Sequence, residues 1–162
     1  MTDPGSDCQN DPTAPARTTE TAVRESLLDT HGDLLAAVGD CADEVAAAWD
    51  GPATDRRQVV EPLTALLRQQ GILERLPGVL ASAVEAAGYD LRANPVPAPP
   101  YVVVTGTGPV LRATVADGRL VVRFECFELR REGGDGETPA GRTRYVRREG
   151  AAGDCLSVEL KR

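Results

Sequence analysis

Side chains that could act as nucleophiles or metal ligands are few in this chain and scattered along it. The four cysteines, Cys8, Cys41, Cys126 and Cys155, lie in four different segments and form no C-x-x-C pair. Such spacing is typical neither of a zinc site nor of a thiol redox motif. Strand alternation places Cys126 on the apolar face of a sheet and Cys155 on the opposite side. We therefore predict that Cys41 and Cys126 are small buried hydrophobic residues.

A general base is equally scarce. His31 is the only histidine, and it stands beside Gly32 at the weakest point of a helical pattern. Because it lies outside the apolar stripe of that pattern, we predict a solvated residue or a local cap. The sequence thus predicts no catalytic residue, no metal ligand and no cofactor.

One glycine-rich segment needs separate consideration. The residues Thr105-Gly106-Thr107-Gly108-Pro109 lack the lysine of a P-loop and the third glycine of a dinucleotide-binding fingerprint. Two predicted strands flank the segment, where a phosphate loop would precede a helix. We predict a hairpin loop.

Arginine is the one chemical group that clusters. Arg112 and Arg123 are predicted to oppose each other on the sheet face away from the core, and Arg144 and Arg148 follow in a later strand. Opposed like charges repel, so a bound anion or a neighbouring carboxylate such as Glu125 would relieve them. These four arginines are the candidate contacts for an anion or a partner. Pairing with the chain's own acidic groups, including those on the helices, is the favoured interpretation of these arginines, and recognition of phosphate, nucleic acid or an acidic partner is the alternative.

The elements that position these arginines begin with a helical half. Apolar residues at helical spacing run from Val23 to Ala48, with a possible break near His31-Gly32. A second helix is predicted to begin at Thr54 or Asp55, with Gln58 in capping-box position, and to end at Gln70-Gly71.

A third helix is predicted over Leu76 to Ala87. Pro77 falls in its first turn and Gly88 follows its end, positions that suit these two residues. The segment after it holds four prolines in six residues and is predicted to be extended, polyproline-like backbone.

Beyond the prolines the apolar period changes to two, which predicts strands. The five predicted strands are Tyr101–Thr105, Val110–Ala116, Arg119–Leu129, Arg144–Arg148 and Cys155–Lys161. With Asp117-Gly118 as a type I′ turn, Leu111 opposes Phe124 on the apolar face. The same register opposes Arg112 and Arg123 on the other face.

The predicted fold class is α+β, with three amphipathic helices followed by a five-stranded antiparallel sheet and the helices packed on one sheet face. Residues 1–18 are predicted to be a disordered acidic tail, and residues 19–162 a single domain. That domain comprises a helical part (19–93), a proline-rich connector (94–100) and a sheet part (101–162).

Charge is the strongest global signal. The chain of 162 residues carries 18 basic and 25 acidic side chains, a net −7, and 17 of the 18 basic residues are arginine. In molar salt the Debye length is only about 3 Å, so a densely acidic surface costs little self-repulsion. In this composition the chain resembles cytosolic proteins of salt-accumulating halophilic archaea, and specifically a small uncharacterised protein family of those organisms. The resemblance implies no known activity.

These observations favour a cytoplasmic protein without a membrane segment, since the longest apolar runs fall far short of the roughly 20 residues that span a bilayer. We expect a non-enzymatic binding or interaction module that uses the arginine-bearing sheet face. Its partner would be an acidic protein or an anionic ligand. Nucleic acid is less favoured because the chain is acidic and its aromatic residues are few. A nucleic-acid-associated or regulatory protein is the alternative, and an enzyme that works through carboxylates alone is a further one.

Overall fold

A computed structural model describes residues 14–91, 93–132, 142–148 and 155–161. Within these ranges the chain forms an α+β fold of four helices and six strands. The predicted tail lies outside the described residues up to position 13. The first helix begins at Ala14, five residues before the predicted start of the domain.

The four helices are α1 (Ala14–Thr30), α2 (Gly32–Ala47), α3 (Arg57–Gln69) and α4 (Ile72–Ala86). The predicted long first helix is two helices, divided at His31, which is the break that the glycine there indicated. Helix α4 begins at Ile72 because Gly71 adopts a positive φ of 74° and lets the chain turn directly out of α3. Pro77 therefore lies in the second turn of α4 and not in its first.

The N-cap residue of α3 is Arg56, where Thr54 or Asp55 was predicted, whereas the predicted end of α4 at Gly88 is confirmed. At the start of α3, Gln58 Oε1 accepts the Asp55 backbone N–H at 2.9 Å, and Asp55 Oδ1 accepts the Arg57 N–H at 2.9 Å. These reciprocal bonds satisfy N–H groups at the start of the helix, as in a capping box. At the end of α4, Gly88 has a φ of 87° and Tyr89 N–H donates to the Val84 carbonyl at 3.0 Å.

Pro62 lies inside α3 and cannot donate to the carbonyl of Gln58, four residues earlier. The indole Nε1 of Trp49 donates to that carbonyl instead, at 3.0 Å. A side chain from the segment after α2 thus replaces the backbone hydrogen bond that proline removes.

The six strands form two antiparallel sheets. They are β1 (Val102–Thr105), β2 (Gly108–Val115), β3 (Gly118–Phe124), β4 (Phe127–Glu132), β5 (Arg142–Arg147) and β6 (Leu156–Lys161). One sheet has the order β1-β2-β3-β6, and the other pairs β4 with β5. The predicted single five-stranded sheet is therefore wrong in detail, although its antiparallel character is confirmed.

The predicted third strand is interrupted at Glu125 and Cys126. The backbone N–H groups of Cys126 and Phe127 both donate to the Thr107 carbonyl, at 2.8 and 3.0 Å, and so leave the ladder with β6. Gly108 permits this approach, since a Cβ at that position would collide with the Phe124 carbonyl. The glycine-rich segment is thus a hairpin turn between β1 and β2, as predicted.

The β2–β3 hairpin keeps its predicted faces but not its predicted register. Leu111 opposes Val122, and Arg112 opposes Val121, a shift of two residues from the prediction. A type I′ turn requires positive φ at both central residues, but among the described residues only glycines have positive φ, so Asp117 does not supply one. The turn is formed by Ala116 and Asp117, and a shift of two leaves each side chain on its original face.

Helices α1, α3 and α4 pack on the core face of the four-stranded sheet, as predicted, whereas α2 packs against β5 of the two-stranded sheet. Helix α1 also covers the β6 edge of the four-stranded sheet. Its Glu20 carboxylate accepts the Leu160 N–H at 2.7 Å, and its Arg24 Nε donates to the Leu156 carbonyl at 3.1 Å. These side chains occupy backbone groups that an edge strand would otherwise present to another chain.

The connector between the two halves is not extended throughout. The N–H groups of Tyr101 and Val102 both donate to the Ala98 carbonyl, at 3.0 and 3.1 Å. The predicted polyproline-like run therefore ends in a turn that brings Tyr101 beside β2, where its carbonyl accepts the Arg112 N–H at 2.8 Å.

Candidate functional site

The structure divides the four predicted site arginines between the two sheets. Arg112 and Arg123 lie in the four-stranded sheet, on the face away from the helices. Arg144 lies in β5 of the two-stranded sheet, and Arg148 follows that strand. The prediction that Arg112 and Arg123 oppose each other is wrong, since the observed register pairs Arg112 with Val121 and Arg123 with Val110.

We define the outer face as the side of the four-stranded sheet that points away from the helices. Its members by strand alternation are Val103, Thr105, Val110, Arg112, Thr114, Arg119, Val121, Arg123, Ser157, Glu159 and Lys161. Four of these side chains are basic and one is acidic. In a chain of net charge −7, this face is a local concentration of positive charge.

Two of the predicted arginines are held by carboxylates. Arg123 Nη1 lies 2.8 Å from Glu159 Oε1 on the neighbouring strand, and its side chain holds the pKa of that carboxyl below its ordinary value through this hydrogen bond and its charge. Arg148 Nη1 lies 2.8 Å from Glu125 Oε2. The pairing with Glu125 is the internal relief that the sequence analysis considered. These two arginines therefore form ion pairs within the fold.

Arg112 and Arg119 differ from this pattern, since neither forms an ion pair with any described residue. They occupy diagonal positions on β2 and β3, because Arg119 opposes Thr114 and Arg112 is two residues before Thr114. Diagonal neighbours on one sheet face are about 7–8 Å apart, so two guanidinium groups there can contact one anion. Both residues are exposed to solvent.

The stems of these arginines cover an apolar patch. Val121 is on the outer face yet only 2% exposed. Its neighbours on that face are Arg112, Glu159, Arg119 and Arg123. Long side chains can bury their methylene groups while the charged end stays in water. We infer that the methylene groups of the neighbouring arginines pack over Val121 and that this packing restricts the positions of their guanidinium groups.

Two shallow concavities meet at Arg112 and Arg119. The first, of about 350 Å³, lies on the outer face and is also lined by Thr105, Thr107, Arg123 and Lys161. The second, of about 320 Å³, lies between β2, β3 and the connector, and Leu91, Pro100, Tyr101 and Thr114 line it. We call the second concavity the connector groove. No acidic side chain of the described part of the chain lines either concavity.

Sequence reasoning missed Arg119 and Lys161 as site residues. Alternation alone places Arg119 on the face of Arg123, four residues later, so the sequence did hold that signal. Lys161 reaches the site only because β6 pairs with β3, which opposes it to Arg119. That pairing depends on a long connection and leaves no local signal.

The cysteines are buried, as predicted for Cys41 and Cys126. The prediction that Cys126 and Cys155 point to opposite sides is wrong. Both line one cavity of about 200 Å³ between α2 and the sheet, because Cys126 lies in the strand interruption and Cys155 precedes β6. Burial raises the pKa of the Cys126 thiol to about 12, although the Arg147 charge acts in the opposite direction. This thiol is therefore not a nucleophile near neutral pH. Cys8 lies outside the described residues.

The same cavity brings carboxylates and an arginine together, since Asp40, Asp43 and Arg147 also line it. The Arg147 guanidinium is already bound on several sides. It donates to Asp43 Oδ1 at 2.9 Å, to the Cys126 carbonyl at 2.9 Å and to the Gly39 carbonyl at 3.2 Å. These bonds attach β5 to α2, so we interpret Arg147 as a structural residue.

His31 contacts a serine that the sequence did not indicate. Its Nε2 lies 2.9 Å from Ser82 Oγ of α4, so the residue between α1 and α2 is tied to a third helix. Burial, and secondarily the Arg75 charge, lowers the pKa of His31. The cavities described above do not include this pair, and within the described residues no carboxylate forms an ion pair with the imidazole. We interpret it as a contact that fixes the helix break.

Two further classes of site find no support in the described ranges. They contain no group of three or more His, Cys, Asp or Glu side chains that is arranged to hold a metal ion. Nor does any helix there have the length and apolar character needed to cross a membrane.

Comparison with known families shows which family the chain belongs to. A family model described as a domain of unknown function, DUF7988, matches residues 21–161. The chain belongs to this family. The DUF7988 match includes all six strands and therefore the whole outer face. Searches of curated proteins and of solved structures found no match.

Proposed function

We propose that this DUF7988 chain is a non-enzymatic binding module of the cytoplasm of a salt-adapted cell, and that its outer face binds an acidic segment of a partner protein. The observation that carries the proposal is the state of Arg112 and Arg119. They lie at the meeting point of two concavities without an ion pair to any described residue, whereas Arg123 beside them is paired with Glu159.

The electrostatics favour a carboxylate-rich partner. Four basic side chains and one acidic side chain share the outer face. An approaching acidic segment would meet attraction here and repulsion from most of the remaining surface, because the helical half, residues 1–94, carries 16 acidic and 7 basic side chains. Such an arrangement orients an acidic partner towards the outer face and disfavours its binding to the acidic remainder of the surface.

The carboxylate enzyme is the second candidate, since Asp40 and Asp43 share a cavity with Arg147. Three facts make it weaker. The cavity is small, Asp43 is paired with Arg147 and largely exposed at 64%, and Arg147 is occupied by backbone carbonyls. A binding surface needs no further group, whereas the described residues of this cavity supply no cation other than Arg147, which is already bonded.

A fluorescently labelled oligoglutamate peptide tests the proposal by anisotropy at low salt. We expect Arg112→Gln with Arg119→Gln to weaken binding at least tenfold. The matched control is Arg68→Gln with Arg131→Gln, which removes two exposed arginines from elsewhere and changes the net charge equally. Equal weakening in both variants would mean that only total charge matters, and would refute the proposed surface.

A second titration uses a short single-stranded DNA. Tyr101 lines the groove beside Arg112 and offers a ring for stacking, which is the observation in favour of the nucleic-acid alternative. If the DNA binds more tightly than the peptide and loses affinity in the Arg112/Arg119 variant, the partner is nucleic acid and the protein-partner proposal is wrong.

A further inference from the structure

The connector groove has a chemical asymmetry that an acidic peptide does not require. Its polar lining residues are Arg112 and Arg119, which carry positive charge and only donate hydrogen bonds, and Thr114, whose hydroxyl can donate as well as accept. The other lining residues include the apolar Leu91 and Pro100 and the half-buried ring of Tyr101. Polar groups at one end of an apolar concavity are typical of sites for small molecules, and the groove has a volume of about 320 Å³.

We propose that the connector groove binds a small phosphomonoester whose phosphate is joined to a ring, the chemical class of the nucleoside monophosphates. The phosphate would lie between Arg112 and Arg119 and accept from Thr114, and the ring would lie against Tyr101 and Pro100. The groove shares its two arginines with the proposed protein-binding face but does not depend on that function.

Charge distinguishes a phosphomonoester from a carboxylate as the ligand. Among the described residues, the groove is lined by two guanidinium groups and by no acidic side chain. A phosphomonoester carries close to two negative charges at neutral pH and three terminal oxygens that accept hydrogen bonds. Each guanidinium can donate two parallel hydrogen bonds to a phosphate. A single carboxylate would neutralise only one of the two cations.

The geometry of the sheet supports the same assignment. Arg119 opposes Thr114 directly, and Arg112 lies two residues before Thr114 on the same strand. The three side chains thus occupy three corners of one small area on the outer face. Tyr101 is fixed beside them because its carbonyl accepts the Arg112 N–H and its ring packs against the core. The backbone of Tyr101 is therefore held directly beside that of Arg112.

Because the same arginines would contact the phosphate and the acidic partner, the two ligands should exclude one another. A small phosphomonoester would then regulate partner binding by competition at Arg112 and Arg119.

Isothermal titration calorimetry of the full chain with adenosine 5′-monophosphate tests the site. Adenosine and inorganic phosphate are the comparison ligands. We expect the monophosphate to bind at least tenfold more tightly than either, because only it contacts both ends of the groove. Arg119→Gln should weaken the monophosphate at least tenfold, and Tyr101→Ala severalfold, while the control Arg131→Gln leaves it unchanged. Thermal melts verify that each variant is folded.

Equal affinity for adenosine and its monophosphate, or no loss in Arg119→Gln, would overturn the inference. So would the absence of measurable binding at millimolar ligand. The outcomes for the two proposals are separable. Oligoglutamate binding without monophosphate binding refutes only the groove site, and monophosphate binding without oligoglutamate binding refutes only the proposed partner.

Discussion

At the scale of single residues, the groups that contact each arginine decide whether it stabilises the fold or is available to a ligand. Arg123 and Arg148 lie 2.8 Å from carboxylates, and Arg147 is bonded to a carboxylate and to backbone carbonyls. Arg112 and Arg119 have the same chemistry but no such partner among the described residues. Sequence alone cannot separate these groups, since strand pairing decides which carboxylate each arginine reaches.

This difference predicts that the two sets of substitutions differ in their effect on stability. Arg123→Gln should lower the free energy of unfolding by roughly 0.2–1 kcal/mol, the range for partly exposed ion pairs. Arg112→Gln with Arg119→Gln should change it by less than about 0.5 kcal/mol, as for surface positions without a specific contact. Chemical denaturation at fixed salt measures both. A larger loss in the Arg112/Arg119 variant than in Arg123→Gln would show that those two arginines are structural.

His31 predicts a dependence of stability on pH. Its pKa in the folded chain is lowered below the ordinary value of 6.5, so the unfolded chain takes up the proton first as pH falls. The stability that comes from keeping His31 neutral is complete above pH 6.5. It is lost as the pH falls through that value towards the lower pKa of the folded state. Unfolding experiments between pH 7.5 and 5.5 measure it. His31→Gln, which can bond Ser82 without titrating, should flatten the decline, and an unchanged pH profile would contradict the assignment.

At the scale of elements, most local signals predict the structure, with the turn at Asp117-Gly118 as the exception, whereas the strand interruption does not follow from them. The break at His31, the capping box of Asp55 and Gln58, and the turn at Gly88 each depend on residues a few positions apart. The strand interruption at Cys126 depends on the Thr107 carbonyl, nineteen residues earlier in the chain. Alternation continues through Cys126 in the sequence, so no local pattern predicts that β4 leaves the sheet.

The compensation at Pro62 gives an element-scale prediction. Trp49→Phe removes the N–H donor to the Gln58 carbonyl and should lower stability by about 0.5–1 kcal/mol. In a Pro62→Ala background the alanine N–H can bond that carbonyl, so the same change should cost less. A double-mutant cycle by denaturation measures the coupling. Additive effects would mean that the indole bond does not substitute for the backbone bond.

At the scale of the whole molecule, charge is unevenly divided. Residues 1–94 have a net charge of −9 and residues 95–162 a net charge of +2. Four basic side chains of the second half lie on the outer face of the four-stranded sheet, while helices α1, α3 and α4 cover its other face. The core contains no charged side chain among the described residues, so electrostatics acts at the surface, where salt modulates it.

The acidic surface predicts a response to salt. If the composition is an adaptation to a salt-rich cytoplasm, the melting temperature should rise from tenths molar to several molar KCl, because the ions screen repulsion among 25 carboxylates. Thermal melts over that range measure it. A melting temperature that is constant or falls with KCl would contradict a salt-adapted origin.

Chemical-shift mapping tests the central claim, that the outer face is the binding surface. The ¹⁵N-labelled chain is titrated with oligoglutamate while backbone amide signals are followed by NMR. The account predicts that the largest shifts fall on Arg112, Thr114, Arg119 and Val121, and that they disappear in the Arg112→Gln, Arg119→Gln variant. Shifts confined to β4 and β5, or spread evenly over the surface, would contradict it.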